Sequence, residues 1–188
     1  MFTLNNKLET EVAINDKVYP VNMAFNNVMD FLEIVDNPEL NDLEKAQGGI
    51  YQLLGEIPKL ANPELFKAFH EIVIHFIQTG TKKEMPLGLD GNPMPVKKQA
   101  PIYDLKADAQ YIYNSFRQAY GINLFEEQGK LDWREFMSLL RGLPEETEYK
   151  KVIDIRTKPY YKGKGMTEAN RKLREAKRHY ALPGVEVD

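Results

Sequence analysis

Histidine has the widest chemical range of the residue types in this sequence, since it can ligate metals and transfer protons near neutral pH. The chain has three histidines, His70, His75 and His179. His70 and His75 lie five residues apart on one predicted helix, about 140° apart around its axis, so they cannot chelate one metal as an i,i+4 pair would. No carboxylate cluster with ligand spacing accompanies them. The sequence therefore predicts core or flanking histidines and no metal site.

Paired carboxylates could serve a hydrolase if two of them faced one cleft. Glu126-Glu127 and Glu145-Glu146 are such pairs, but adjacent side chains point apart. A solvated loop explains the first pair, and a favourable position in the first turn of a helix explains the second. The segments GLDGNP and EEQGKLDW lack the pattern of phosphate-binding loops. We therefore expect a protein that is not an enzyme and needs no cofactor.

The C-terminal segment has two possible chemistries. Residues 156–188 hold nine Lys and Arg against four Asp and Glu, whereas residues 1–155 hold 16 against 24. Mixed with tyrosines, these cations could bind nucleic acid through phosphates and stacking. We favour a solvated or partner-binding helix that orders on assembly, because the acidic body would repel a polyanion. The candidate partner-binding residues of the segment are Tyr160, Tyr161, Arg171, Lys172, Arg174, Lys177 and Arg178.

The elements that position these residues begin with a hairpin. Residues 10–21 alternate apolar and polar side chains around Asn15-Asp16, which predicts two antiparallel strands. Pro20 limits the second strand to an edge or an early end. A first helix follows over FNNVMDFLEI, with Asn22 as its predicted N-cap.

Two further helices follow from start signals and apolar periodicity. Asn37-Pro38 predicts the start of the second, through residue 54, and Gly48-Gly49 predicts a kink or break within it. Asn62-Pro63 predicts the start of the third, whose broad apolar stripe is typical of a central core helix.

Residues 80–101 are rich in proline and glycine and predict a long exposed loop, more typical of a linker than of a mobile binding segment. Helices are predicted after it at about 104–120, from Asp132, from Pro144 and at about 167–180. Trp133, Phe136 and Met137 share one face of the helix from Asp132. This face could line a partner-binding groove, although aromatic residues at helical spacing more often form a core.

The predicted fold is mainly α: a helical bundle of about six helices with an N-terminal β-hairpin and a basic C-terminal tail. Its predicted parts are the hairpin and helices at 1–79, the loop or linker at 80–101, a C-terminal helical part of the same domain at 102–156, and the tail at 157–188. The 188 residues include no cysteine, and no apolar run approaches the ~18 residues of a membrane span. We expect a soluble cytoplasmic protein.

Residues 111–156, YIYNSFRQAYGINLFEEQGKLDWREFMSLLRGLPEETEYKKVIDIR, are similar to the bacteriophage gene-product-fifteen family. The matching features are a helix ending in YGINL, a short acidic loop, then LDWREFMSLLRGLPEET and an isoleucine-rich segment closing on Arg156. The N-terminal hairpin and the helix after it also resemble this family. Genes of the family commonly lie near the tape-measure gene of long-tailed phages, and the family supplies no catalytic residues.

The resemblance implies a phage tail morphogenesis protein. The function we expect is that of an assembly chaperone that binds the tape-measure protein or other tail proteins in the host bacterial cytoplasm, with homo-oligomers possible. One alternative is a structural component of the virion at the tail or head-tail junction. The other is an accessory protein that binds nucleic acid through the basic tail.

Overall fold

The computed structural model of the chain describes residues 4–77 and 101–187. Most of the predicted loop at 80–101 therefore lies outside the described residues. In chain order the elements are β1 (Glu11–Ile14), β2 (Lys17–Pro20), α1 (Phe25–Asp36), α2 (Asp42–Leu54), α3 (Asn62–Ile72), α4 (Ala109–Tyr120), α5 (Trp133–Arg141), α6 (Glu148–Thr157) and α7 (Thr167–His179). A π-helical turn, Val73–Ile77, continues α3. The predicted fold class, mainly α with an N-terminal antiparallel hairpin, is confirmed.

The described residues form two compact units. Unit 1 contains residues 4–77 and 125–141, and unit 2 contains residues 101–124 and 142–187. Helix α5 therefore belongs to unit 1, although α4 and α6, its neighbours in sequence, belong to unit 2.

In unit 1 the hairpin turns at Asn15-Asp16, as predicted. Asn15 adopts a φ of 52°, a left-handed conformation that asparagine tolerates better than most residues do. The strands pair antiparallel, with Ile14 opposite Lys17 and Glu11 opposite Pro20. Ile14 and Tyr19 are buried, so one side of the hairpin contributes to the core.

Helix α1 begins differently from the prediction. Its N-cap is Ala24, which makes no side-chain capping bond, whereas the side chain of Asn22 accepts from the N–H of Ala24 at 3.2 Å. Ala24 instead forms an antiparallel bridge with Asp132. The N–H of Phe25 therefore donates to the carbonyl of Leu131 at 2.9 Å. A backbone partner about a hundred residues away along the chain thus replaces the local cap that the sequence suggested.

Helix α2 also begins later than predicted, because Asn41 and not Asn37 caps it. The side chain of Asn41 accepts from the N–H groups of Leu43 and Glu44, and the Glu44 carboxylate accepts from the N–H of Asn41. This reciprocal capping box satisfies donors that the first helical turn leaves unpaired. Asn37 accepts from the N–H of Glu39 in the preceding turn.

The predicted kink at Gly48-Gly49 is wrong, since α2 runs unbroken through both glycines. A Cβ atom added at Gly49 would lie 2.7 Å from a ring carbon of Phe31 and 2.8 Å from one of Phe69. Gly49 is therefore the site at which α1 and α3 pack closely against α2. The glycine serves packing here and does not break the helix.

In unit 2, α4 ends at Gly121 with a φ of 70°, as predicted. The N–H of Tyr149 donates to the buried Ser115 hydroxyl at 3.0 Å, which joins the start of α6 to α4. Burial raises the pKa of the Tyr149 phenol, an effect reinforced by Tyr103 and Asp108. Leu173 is the buried residue of α7.

Candidate partner-binding surfaces

The three residues predicted to line a groove on α5 are buried in unit 1. Trp133 is 4% exposed, Phe136 2% and Met137 7%. The Trp133 indole N–H donates to the carbonyl of Ile77 at 3.2 Å, and its ring stacks on Phe136 at 5.8 Å. Phe136 also stacks on Phe25 at 5.0 Å. These contacts make the three residues part of the packing of unit 1, and no partner can reach them while the unit is folded.

A different apolar surface of unit 1 is accessible. Phe66 on α3 is 39% exposed and Ile74 in the π-helical turn is 47% exposed. Val73, which lies two helical turns after Phe66 and directly before Ile74, is half-buried. We call Phe66, Val73 and Ile74 the α3 stripe. Sequence periodicity missed it, because a broad apolar face indicates burial without showing which part of the face the neighbouring elements leave uncovered.

The three histidines have different surroundings in the structure. His75 pairs with Glu9, and this contact lowers the pKa of the Glu9 carboxyl. His70 is exposed on α3, and His179 packs edge-on against Tyr180. Within residues 4–77 and 101–187, no group of three or more His, Cys, Asp or Glu could hold a metal ion. Among the same residues, no helix is long and apolar enough to cross a membrane.

In the basic tail, several cations make contacts within unit 2. The Arg174 guanidinium lies 5.7 Å from the centre of the Tyr160 ring, and the Lys177 ammonium lies 5.3 Å from it. Lys177 also donates to the carbonyl of Arg156 at 3.0 Å. The backbone of Tyr161 is held by the side chain of Asn170, while its ring is 45% exposed.

The outward face of α7 is partly neutralised by its own acids. Arg171 binds Glu168 at 2.7 Å and Glu175 at 2.5 Å, and Lys172 lies 4.0 Å from Glu168. The hydrogen bonds that Arg171 donates to Glu168 lower the pKa of the Glu168 carboxyl and raise the pKa of the Arg171 guanidinium. Arg178 is exposed at the end of the helix. The predicted row of cations is therefore mostly engaged in local pairs.

Asp108 and Arg156 form a largely buried ion pair in unit 2. Asp108 is fully buried, and two parallel bonds of 2.7 Å join its carboxylate to the Arg156 guanidinium. Arg156 also donates to the carbonyls of Tyr180 at 2.6 Å and Ile102 at 3.2 Å. One arginine thus connects α6 with the turn before α4 and with the end of α7. This pair is not predictable from the sequence, because a lone Asp and Arg 48 residues apart carry no spacing signal.

The net charges of the two units are opposite in sign. The described residues of unit 1 hold eight Lys and Arg against 16 Asp and Glu, and those of unit 2 hold 13 against nine. The tail alone gives unit 2 its positive charge, since residues 157–187 hold eight Lys and Arg against three Asp and Glu, whereas the other described residues of the unit hold five against six.

One known protein family matches the chain. The model of the family described as Bacteriophage Gp15 protein matches residues 4–182. The chain belongs to the bacteriophage Gp15 protein family. The match covers both units of this Gp15 family member, so the resemblance first noted at residues 111–156 extends over nearly the whole chain. Neither the curated proteins nor the solved structures contain a match to it. Membership in the family indicates a structural or morphogenetic role in a phage and interaction with other phage proteins.

Proposed function

We propose that this chain is a tail-assembly chaperone that binds the phage tape-measure protein in the host bacterial cytoplasm. Family membership supports the phage context, and the exposed α3 stripe is the observation that carries the binding role. The tape-measure protein is long and helical, and its exposed apolar residues must be shielded from aggregation until the tail tube forms around it. An accessible apolar stripe on a helix is the kind of surface that receives an amphipathic partner helix. The proposal assigns the chain no catalytic step.

Reversible binding follows from the composition of this stripe. Phe66 and Ile74 are only partly exposed, and Lys67, His70 and Glu71 lie beside them. A small apolar surface with a polar border contributes modest affinity, because buried area stabilises a complex only after the loss of translational and rotational freedom is offset. A chaperone that must later release its client needs such limited affinity.

Co-expression with the tape-measure protein tests the proposal. We expect the tape-measure protein to remain soluble and to co-purify with the wild-type chain, and Phe66→Ser to reduce the recovered complex. Tyr51→Ser is the matched control, since Tyr51 is a 58% exposed aromatic residue on α2 of the same unit. An insoluble tape-measure protein and no complex with the wild-type chain would sink the proposal.

The opposite net charges of the two units favour a second candidate, a structural component of the virion. A protein with one acidic and one basic unit can associate head to tail with copies of itself, and such contacts close into rings or continue as filaments. Mass spectrometry of purified particles separates the candidates. Stoichiometric amounts of the chain in the particle favour the virion component, and its absence favours the chaperone.

Binding of nucleic acid through the tail is the remaining alternative. Its test is binding to DNA at low salt that weakens steeply as salt rises, as phosphate contacts require. Internal pairing of Arg171, Arg174 and Lys177 leaves fewer cations for phosphates than the sequence suggested. We therefore place this alternative last.

A further inference from the structure

The two outer edges of the hairpin in unit 1 are chemically different. The N–H of Val21 donates to the carbonyl of Thr10 at 2.7 Å, which sets the alternation of hydrogen-bonded pairs along the strands. In this register the N–H and carbonyl groups of Glu11 and Ala13 point away from β2, towards the outer edge of β1. The outer edge of β2 contains Pro20, which has no N–H. The β1 edge offers two outward N–H groups and the β2 edge only that of Val18, so β1 is the edge better suited to accept a further strand.

A groove of about 540 Å³ borders the outer edge of β1. The strand forms one wall, including Glu11 and Ala13, and the end of α3 with the π-helical turn forms the other, including Glu71 and Ile74. Ile74 is 47% exposed and supplies apolar surface next to the main-chain groups of the strand. A strand pairs with its neighbour at about 4.8 Å, so a segment lying in this groove would be within reach of the β1 main chain.

The charges around the groove indicate which kind of ligand it would bind. Glu9, Glu11 and Glu71 line it. Glu9 is paired with the imidazole of His75, and the exposed Lys67 ammonium lies 3.9 Å from the Glu71 carboxylate. Two copies of the chain joined edge to edge at β1 would place these acidic rows against each other, which disfavours self-pairing. A strand with basic side chains at alternate positions would instead meet opposite charges. The groove therefore fits a basic segment better than a second copy.

We propose that the outer edge of β1 binds an extended, basic segment of a partner protein, which adds to the hairpin as a third strand. Its main chain would exchange hydrogen bonds with Glu11 and Ala13. Lys or Arg side chains would face Glu11 and Glu71, and apolar side chains would pack on Ile74. This inference goes beyond the proposed chaperone function, because it concerns a strand edge and an extended ligand. The groove and the α3 stripe share Ile74, whereas Phe66 belongs to the stripe alone.

A labelled heptapeptide of alternating valine and lysine tests the strand edge by fluorescence anisotropy with the full chain. We expect Ala13→Pro to weaken binding roughly tenfold, because it removes an outward N–H and inserts a ring at the edge. Val18→Pro is the matched control. Val18 lies opposite Ala13, and its N–H faces the outer edge of β2 instead of that of β1. We expect it to leave the affinity within about twofold of wild type, as both substituted N–H groups lie outside the hairpin ladder. Circular dichroism verifies the fold of both variants.

Charge reversal gives a second test that leaves the backbone intact. We expect Glu11→Lys to weaken binding of the lysine peptide, and Glu39→Lys, an equal charge change between α1 and α2 in the same unit, to have little effect. A peptide with glutamate in place of lysine should not bind. Absence of wild-type binding to the lysine peptide, equal effects of Glu11→Lys and Glu39→Lys, or dimerisation through β1 would each overturn the proposal. Retained binding by a folded Ala13→Pro variant would do the same. The tape-measure experiment with Phe66→Ser does not depend on these outcomes.

Discussion

At the scale of single residues, two arginine–carboxylate pairs are largely buried. Asp108 and Arg156 pair in unit 2. In unit 1, Arg134 pairs with Asp132 at 2.8 Å and donates to the carbonyl of Glu9 at the same distance. Each pair satisfies backbone carbonyls in addition to the partner charge, so removal of one member leaves a buried charge without compensation.

The Asp108→Ala variant tests the pair of unit 2. We expect a loss of unfolding free energy of about 3 kcal/mol, because Arg156 would keep its charge in a site where only 10% of its side chain is exposed. Urea denaturation followed by circular dichroism measures the loss. Asp154→Ala is the control: it breaks the exposed pair with Lys158, and we expect a change below about 1 kcal/mol. Equal effects of the two variants would contradict a structural role for the Asp108–Arg156 pair.

The contact of Glu9 with His75 predicts a pH dependence. The hydrogen bond from His75 lowers the pKa of Glu9 below its ordinary value of 4.5, so the stabilisation is present above that value and is lost as the pH falls through the lowered pKa. We expect His75→Gln to raise the pKa of Glu9 in a carboxyl NMR titration. The stability difference between this variant and wild type should shrink as the pH falls below about 4.5. An unchanged titration of Glu9 would show that the contact does not form in solution.

At the scale of elements, the glycine pair in α2 shows how packing determines the role of a residue. The sequence predicted a kink there from helix propensity alone. In the structure, the missing side chain at Gly49 admits the rings of Phe31 and Phe69, which lie 6.0 Å apart between centroids. The cost of glycine in a helix is offset by the close approach of three helices.

The Gly49→Ala variant tests this packing. Alanine improves helix propensity by about 1 kcal/mol, but its Cβ would overlap two rings, and overpacking costs about 1–3 kcal/mol. We therefore expect a net loss of stability in thermal unfolding. Gly48→Ala is the matched control, because its added Cβ would meet a single side-chain atom, the γ2 methyl of the half-buried Ile34 at 3.0 Å, instead of two aromatic rings. If Gly49→Ala proved as stable as Gly48→Ala, close packing would not explain the glycine.

At the scale of the whole molecule, the chain order and the compact units do not coincide. Unit 1 is completed by α5, which follows an excursion of the chain through α4 of unit 2. The hydrogen bond from the N–H of Trp133 to the carbonyl of Met23, at 2.7 Å, joins the two parts of unit 1. The unit thus depends on a pairing between distant segments, for which closing the intervening loop costs entropy.

Truncation tests this organisation. We expect a chain that ends at residue 124 to lose the tertiary structure of unit 1, because the sites of Trp133 and Phe136 would be empty. A chain that ends at residue 141 is the control and should keep the dispersed NMR resonances of unit 1. Equal dispersion in both chains would show that unit 1 does not need α5.

Local features were predictable from sequence, whereas the candidate partner surfaces were not. The hairpin turn at Asn15-Asp16, the start of α3 at Asn62 and the end of α4 at Gly121 each depend on a few adjacent residues. Such signals act through backbone conformation, which the residue types themselves restrict. The family resemblance, too, depends on sequence motifs.

Only contacts between distant parts of the chain decided which predicted surfaces are buried and which charges are paired. Spacing identified an aromatic face on α5, but only the pairing of Ala24 with Asp132 shows that unit 1 buries this face. Likewise, composition identified a basic tail, but the contacts of Arg171 and Lys177 show which cations have partners. Burial and charge pairing depend on which distant surfaces meet. Apolar periodicity predicts that one face of a helix is buried, but it does not identify the element that packs against this face.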